Sequence, residues 1–283
     1  MSVLDNRLTP ARPDLAASHL KGQVEAERFV EPVDMQAIIP STFIRRSPGL
    51  DGAVDDQLLA GDIFAVLEER EGWAWGFSRT DGYVGWVEMS GLSSTIHLAD
   101  HRINVLRTYA FSKPDLKSKP NMLLSMNARF KAGQIVDRYV EAEGLGWVFS
   151  EHVQPLTEVA SDFVAVAEAF LGAPYLWGGK ESLGLDCSGL VQMSLEAVGI
   201  TVPRDADQQE AFLKARWSDV TKDEARQRGD VVFWPGHVGI MTDSEHLLHA
   251  NAHTMDVTLE PFSEAEKRIR EKENPVSGIF RTG

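Results

Sequence analysis

The chain holds a single cysteine, Cys187, in the run Asp186-Cys187-Ser188-Gly189-Leu190, and what a lone thiol can do depends on its setting. The apolar residues Leu190, Val191, Leu195 and Val198 recur at helical spacing until Gly199. This predicts a helix with Cys187 in its first turn and Asp186 as its N-cap. There the unpaired backbone N–H groups and the positive end of the helix dipole favour the thiolate, which is the nucleophilic form. An ordinary lone cysteine is a small buried hydrophobe. Two features argue for a reactive one. The approach Tyr175-Leu176-Trp177-Gly178-Gly179 is glycine-rich and aromatic, so backbone can lie close to a substrate, and the segments downstream deliver histidines.

His237 opens the run His237-Val238-Gly239-Ile240-Met241 directly after the turn Pro235-Gly236. Neutral imidazole is matched to accept a thiol proton near neutral pH and return it to a leaving amine. Such a base needs a third group that holds its ring in one tautomer, and His246, His249 and His253 are the candidates. In an extended segment residues three apart face opposite sides, so His246 and His249 cannot both address His237. His249, followed by the small Ala250, is the expected orienter; His246 and His253 are expected at the surface. A metal site built from these three histidines is disfavoured, because the run reads as strand and turn and no acidic residue completes the set at helical spacing. No cofactor is expected.

The elements that must position these groups are legible around them. Ser161 is the expected cap of a helix with apolar positions Phe163, Val166, Ala167 and Phe170, ending at Gly172 before Pro174. Strands are expected over 230–234, 237–241 and 246–250. A domain therefore spans 158–283. Ahead of it lie an N-terminal arm, 1–35, and two β-rich stretches, 36–98 and 99–157, whose short apolar runs are cut by Pro48-Gly49, Asp51-Gly52, Gly61-Asp62 and Asp81-Gly82. The closures Gly85-Trp86-Val87 and Gly146-Trp147-Val148 are spaced for tandem barrels of roughly sixty residues, and both tryptophans are expected to fill barrel cores.

Taken in order, Pro174-Tyr175-Leu176-Trp177-Gly178-Gly179, Asp186-Cys187-Ser188-Gly189-Leu190, Pro203-Arg204-Asp205, Gly229-Asp230-Val231-Val232-Phe233, His237-Val238-Gly239-Ile240 and His249-Ala250 resemble the successive motifs of NlpC/P60 peptidases. The two β-rich stretches resemble bacterial SH3 domains. The resemblance implies an α+β papain-like (NlpC/P60) catalytic domain preceded by two small all-β SH3-like barrels, with Cys187 as nucleophile, His237 as base and His249 as orienter. It further implies a cell-wall-derived peptide as substrate, cut between γ-D-glutamate and a diamino acid, usually meso-diaminopimelate, next to a free N-terminal L-alanine. Asp186, Ser188 and Asp205 then fall at the substrate subsites, and Tyr83 matches an aromatic hydroxyl that similar proteins project into the cleft. Ala206 stands where many relatives place a serine, which leaves the amine subsite open. Arg204 could meet a substrate carboxylate or pair with a neighbouring acid.

Composition narrows the alternatives. With 28 basic against 42 acidic side chains and a formal charge of −14, the chain repels nucleic-acid phosphates and anionic lipid surfaces, so neither nucleic acid nor membrane is an expected partner. No obligate protein partner is evident. A single cysteine excludes an internal disulfide framework and a Cys-rich zinc site. The first thirty residues are charged throughout and read as cytoplasmic. The rival from another class is a catalytically inactive wall-peptide-binding protein acting through its SH3-like domains, against which the intact set of Cys187, His237 and His249 argues.

Overall fold

Short runs rich in β-branched and aromatic residues, punctuated by glycine turns, produce antiparallel sheets in the N-terminal half of the chain. The computed structural model describes residues 4–221, 224–272 and 275–282, and the chain divides into two compact units, Met1–Glu158 and Val159–Gly283. In the first unit a seven-stranded sheet runs in the order Val54–Leu59, Ser41–Arg45, Val84–Glu88, Trp73–Ser78, Ile63–Arg70, Val33–Ala37, Leu92–Ser93. Its interior is filled by Ile44, Leu58, Phe64, Ala74, Tyr83 and Val87. The strand Val54–Leu59 is absent from the sequence expectation because Asp55, Asp56 and Gln57 break its apolar pattern.

The N-terminal arm is part of this packing. Leu15, Ala17 and Leu20 meet Trp75, Phe77 and Trp86 in a second buried cluster, and the Arg12 guanidinium lies 4.2 Å over the Trp75 ring and 5.4 Å over that of Trp86. Trp86 therefore does not fill the interior group, and Trp147 is only half-buried. Both outcomes follow from strand alternation: Val87 and Val148 take the inward positions. Residues 101–155 form a five-stranded and a three-stranded sheet.

The second unit holds four described helices, α1 (Phe163–Ala169), α2 (Cys187–Ala197), α3 (Ala206–Lys214) and α4 (Phe262–Lys272). Asp162, not Ser161, caps α1, its carboxylate accepting from the Val164 N–H at 2.8 Å. An antiparallel sheet runs in the order Ser218–Asp219, Gly278–Arg281, Val231–Trp234, His237–Met241, His246–Asn251, Asp256–Pro261. The helix α2 packs against the two central histidine-bearing strands. On one face of the sheet Val232, Trp234, Met241 and Leu247 form a core with Phe262, Ala265 and Ile269 of α4. That helix escapes a sequence reading because only Phe262, Ala265 and Ile269 mark its apolar stripe among charged residues. Among the described residues no helix is long and apolar enough to cross a membrane.

Candidate active site

Strand pairing fixes the histidines. Trp234 pairs with His237, and Ile240 and Met241 pair with Leu248 and Leu247, so His237, Gly239 and Met241 share a sheet face with Leu247, His249 and Asn251. In this register His249 lies opposite Gly239. A Cβ on Gly239 would come within 2.8 Å of Leu247 Cδ1 and 3.2 Å of His249 Cβ, so glycine leaves the room in which the His249 ring reaches its partner. His237 Nε2 and His249 Nδ1 are 2.7 Å apart, and His249 is fully buried.

Cys187 sits at the first position of α2, after the N-cap Asp186. With His237 and His249 it lines a cavity of about 440 Å³ whose walls also include Tyr175, Trp177, Asn251, His253, Arg268 and Lys272. The structure thus brings Cys187, His237 and His249 to one cavity. With Nε2 of His237 taken by His249, Nδ1 is the nitrogen left for the thiol.

The ionisation of the thiol departs from the sequence expectation. Burial pushes Cys187 up to about 12, and the charge of Asp186 adds to this; hydrogen bonds from the Val238 and Ser188 backbone and the charge of Arg204 only partly offset it. Burial likewise lowers His237 to about 3, helped by His249. Desolvation outweighs the helix terminus here, so at rest Cys187 is a neutral thiol and His237 a neutral imidazole on the same cavity.

Asp186 and Ser188 do not face the cavity. Asp186 Oδ1 accepts from the Gly189 N–H at 2.8 Å, from the Ser188 hydroxyl at 3.2 Å and from Arg204 Nη1 at 2.9 Å, while Oδ2 accepts from the Gly178 N–H and Arg204 Nη2, both at 2.8 Å. Its acceptor capacity is used up within the protein, and the Ser188 hydroxyl also receives Arg204 Nη1 at 2.9 Å. The substrate-binding expectation for these residues gives way to a structural role. Arg204, 1% exposed, is the cation of this network, which resolves its pairing in favour of a neighbouring acid.

The glycine-rich loop serves the same end. The Gly179 carbonyl accepts from Arg204 at 3.2 Å and lies 2.4 Å from where a Gly189 Cβ would stand. The helix is glycine at 189 so that the loop can close on it, while a Cβ on Gly179 itself would meet the Gly184 carbonyl oxygen at 2.4 Å. Asp205 is half-buried at the N-cap position of α3. Tyr83 belongs to the first unit, where it is 4% exposed within the interior cluster. His246 is half-buried and bonded to Asp243, and His253 is an exposed residue on the cavity wall.

Several participants were not anticipated. His249 Nε2 meets Glu260 Oε1 at 2.7 Å, and Glu260 is held in turn by Arg268 of α4. Glu260 stands on the strand after the histidines, two positions from Thr258, the register partner of His249, so the two side chains are diagonal neighbours. The alternation Val257-Thr258-Leu259-Glu260 was a legible strand signal; its register was not. Asn251 is another: its Oδ1 accepts from the His253 and Thr254 N–H groups, holding the turn at the cavity rim.

A thiol at a helix start, packed on an antiparallel sheet that supplies a hydrogen-bonded histidine pair, defines a papain-like α+β thiol hydrolase. Residues 172–271 match the NlpC/P60 family and residues 44–92 the bacterial dipeptidyl-peptidase SH3 domain. The chain is 26% identical to dipeptidyl-peptidase 6 of Lysinibacillus sphaericus over 79% of its own length and 90% of that protein. It is 28% identical to γ-D-glutamyl-L-lysine dipeptidyl-peptidase of Bacillus subtilis over 71% of its length and 73% of that protein. The crystal structure of an NlpC/P60 family protein from Bacillus cereus superposes with a TM-score of 0.73 at 17% identity, covering 88% of this chain and 99% of that one, and so shares its fold. Residues 172–271 thus form an NlpC/P60 cysteine peptidase domain, with a bacterial SH3-type domain ahead of it at residues 44–92.

Proposed function

We propose that this cysteine peptidase hydrolyses the γ-D-glutamyl bond to a diamino acid, meso-diaminopimelate or L-lysine, in cell-wall peptides with a free N-terminal L-alanine. The observation that carries the reading is the convergence of Cys187, His237 and His249 on one cavity in a chain related to a γ-D-glutamyl-L-lysine dipeptidyl-peptidase. His237 takes the thiol proton, sulfur attacks the amide carbonyl, and the first-turn N–H groups of α2 face the developing oxyanion. The protonated imidazole then delivers its proton to the departing amine, and water hydrolyses the thioester.

The cavity wall supports an anionic substrate. Among the described residues Arg268, Lys272 and imidazoles line it and no carboxylate does, in a chain of net charge −14. With Arg268 engaged by Glu260, carboxylates on the glutamyl and diamino acid residues would meet the Lys272 ammonium on that wall. With Asp186 saturated, the amine of L-alanine falls to Asp205. A free L-alanine amine exists only after the peptide has been released from the glycan, so the reaction follows an amidase-type cleavage. This setting is recycling of soluble muropeptides, with the cytoplasm as the proposed compartment.

The test is hydrolysis of L-Ala-γ-D-Glu-meso-diaminopimelate, of its L-lysine counterpart and of their N-acetylated forms. We expect cleavage of the free-amine peptides only, and none by Cys187→Ala. If the N-acetylated peptides are cut equally well, the amine requirement is wrong; if neither diamino acid peptide is cut, the substrate is.

A further inference from the structure

The line of hydrogen bonds behind the base ends on a group that can only accept. His237 Nε2 lies 2.7 Å from His249 Nδ1, and His249 Nε2 lies 2.7 Å from Glu260 Oε1. Arg268 donates to both oxygens of Glu260, its Nη1 reaching Oε2 at 2.8 Å. An ionised carboxylate has no proton to give, so the hydrogen between His249 and Glu260 belongs to His249 Nε2. In its neutral form His249 carries one N–H, and with that hydrogen on Nε2 its Nδ1 is an acceptor. The hydrogen between the two rings therefore belongs to His237 Nε2, and the lone pair of His237 is left on Nδ1. One carboxylate, two residues removed from the base, determines which nitrogen of that base can take a proton.

We propose that Glu260, clamped by Arg268, is a positioning residue that sets the tautomers of both His249 and His237 and thereby keeps the His237 Nδ1 lone pair available to the Cys187 thiol. The inference rests on the thiol-peptidase reading for the identity of the base and not on any choice of substrate. In the acylation step the proton moves from Sγ to Nδ1 as the S–C bond forms, and then from Nδ1 to the amide nitrogen as the C–N bond breaks. The Nε2 proton of His237 stays on its nitrogen throughout, donated to His249. Although burial pushes Glu260 upward, hydrogen bonds from His249 and Arg268 bring it down to about 2, so it remains an acceptor wherever the enzyme works. The clamp couples α4 to the base: Glu260 precedes the helix and Arg268 lies within it.

Glu260→Gln gives a sharp test in the full-length enzyme. Its single acceptor oxygen is claimed by Arg268, so its NH₂ is turned to His249 Nε2, which inverts both tautomers and leaves His237 with an N–H toward the thiol. Long-range proton–nitrogen correlation on ¹⁵N-histidine-labelled protein should show both rings protonated at Nε2 in the wild type and at Nδ1 in the variant. The expected kinetics are a fall in kcat on the order of 10²–10⁴ with KM changed by less than about threefold, and a parallel fall in alkylation of Cys187 by iodoacetamide. A wild-type His237 protonated at Nδ1 overturns the proposal, and the wild-type spectrum decides this even if the variant does not fold. So does a Glu260→Gln enzyme with kcat within about threefold of wild type, or one that loses kcat with its tautomers unchanged. The spectrum and the alkylation need no substrate, so they stand or fall independently of the γ-D-glutamyl reading.

Discussion

Arg204 grips Asp186 through both nitrogens of its fork, at 2.9 and 2.8 Å, one residue ahead of the sulfur that does the chemistry. This buried pair ties the motif Pro203-Arg204-Asp205 to the N-terminus of α2 and to the loop at Gly178 and Gly179. It also places a negative charge beside Cys187 that the helix start alone does not cancel.

Removing one partner of a buried pair strands the other, at a cost of about 3–5 kcal/mol. Arg204→Met should therefore lower stability by that amount in urea denaturation, and Arg204→Lys should restore only part of it because a single ammonium cannot reproduce the fork. A loss below about 1 kcal/mol for Arg204→Met would mean that the network does not anchor the helix.

A thiol held up at about 12 should behave as a neutral nucleophile that needs its base. Alkylation of Cys187 by iodoacetamide is expected to be slower than that of free cysteine at pH 7 and to keep rising above pH 9. A rate plateau below pH 8 would instead reveal a preformed thiolate–imidazolium pair.

The same two groups shape stability against pH. His237 is depressed to about 3 from 6.5, so its contribution is complete above pH 6.5 and is lost as pH falls toward 3, with a slope of up to about 1.4 kcal/mol per pH unit. Cys187 is raised, so its contribution is complete below pH 9 and is lost as pH climbs toward 12. Thermal melts of His237→Gln should show a shallower decline between pH 6.5 and 4 than the wild type, and an identical slope would contradict the depressed value.

Gly239→Ala tests the register argument. The added methyl must displace Leu247 and His249, which should cost about 1–3 kcal/mol and, by moving the orienting ring, reduce kcat about tenfold or more. A variant with full kcat would show that the His249 ring does not depend on the space opposite it.

Lys272 is an exposed cation on the cavity wall. Lys272→Ala should raise KM for a peptide bearing free carboxylates about three- to tenfold with kcat unchanged, and the difference should shrink at high salt. Equal KM values at low ionic strength would remove Lys272 from substrate recognition.

The reactive residues were legible because their local settings are local in sequence. A thiol after an aspartate cap at the start of a helical apolar run, and a histidine opening a strand after Pro235-Gly236, are written in consecutive residues. Strand parity showed that His246 and His249 could not both address His237, and the small Ala250 after His249 favoured it. The peptidase fold was implied by the family resemblance these motifs carry, and the β-rich character of residues 36–98 followed from its turns, but the strands Val33–Ala37, Val54–Leu59 and Leu92–Ser93 were not read.

Other features depend on groups far apart in the chain, and only folding decides them. Whether Asp186 faces a substrate or a cation depended on Arg204 arriving from another segment, and the ionisation of Cys187 depended on how deeply α2 is buried. The partner of His249 depended on the register that brings Glu260 diagonal to it and on a helix too polar to announce itself. Periodicity encodes which way a side chain points along its own element. It carries no information on which element lies opposite, and hydrogen bonding and desolvation act across that gap.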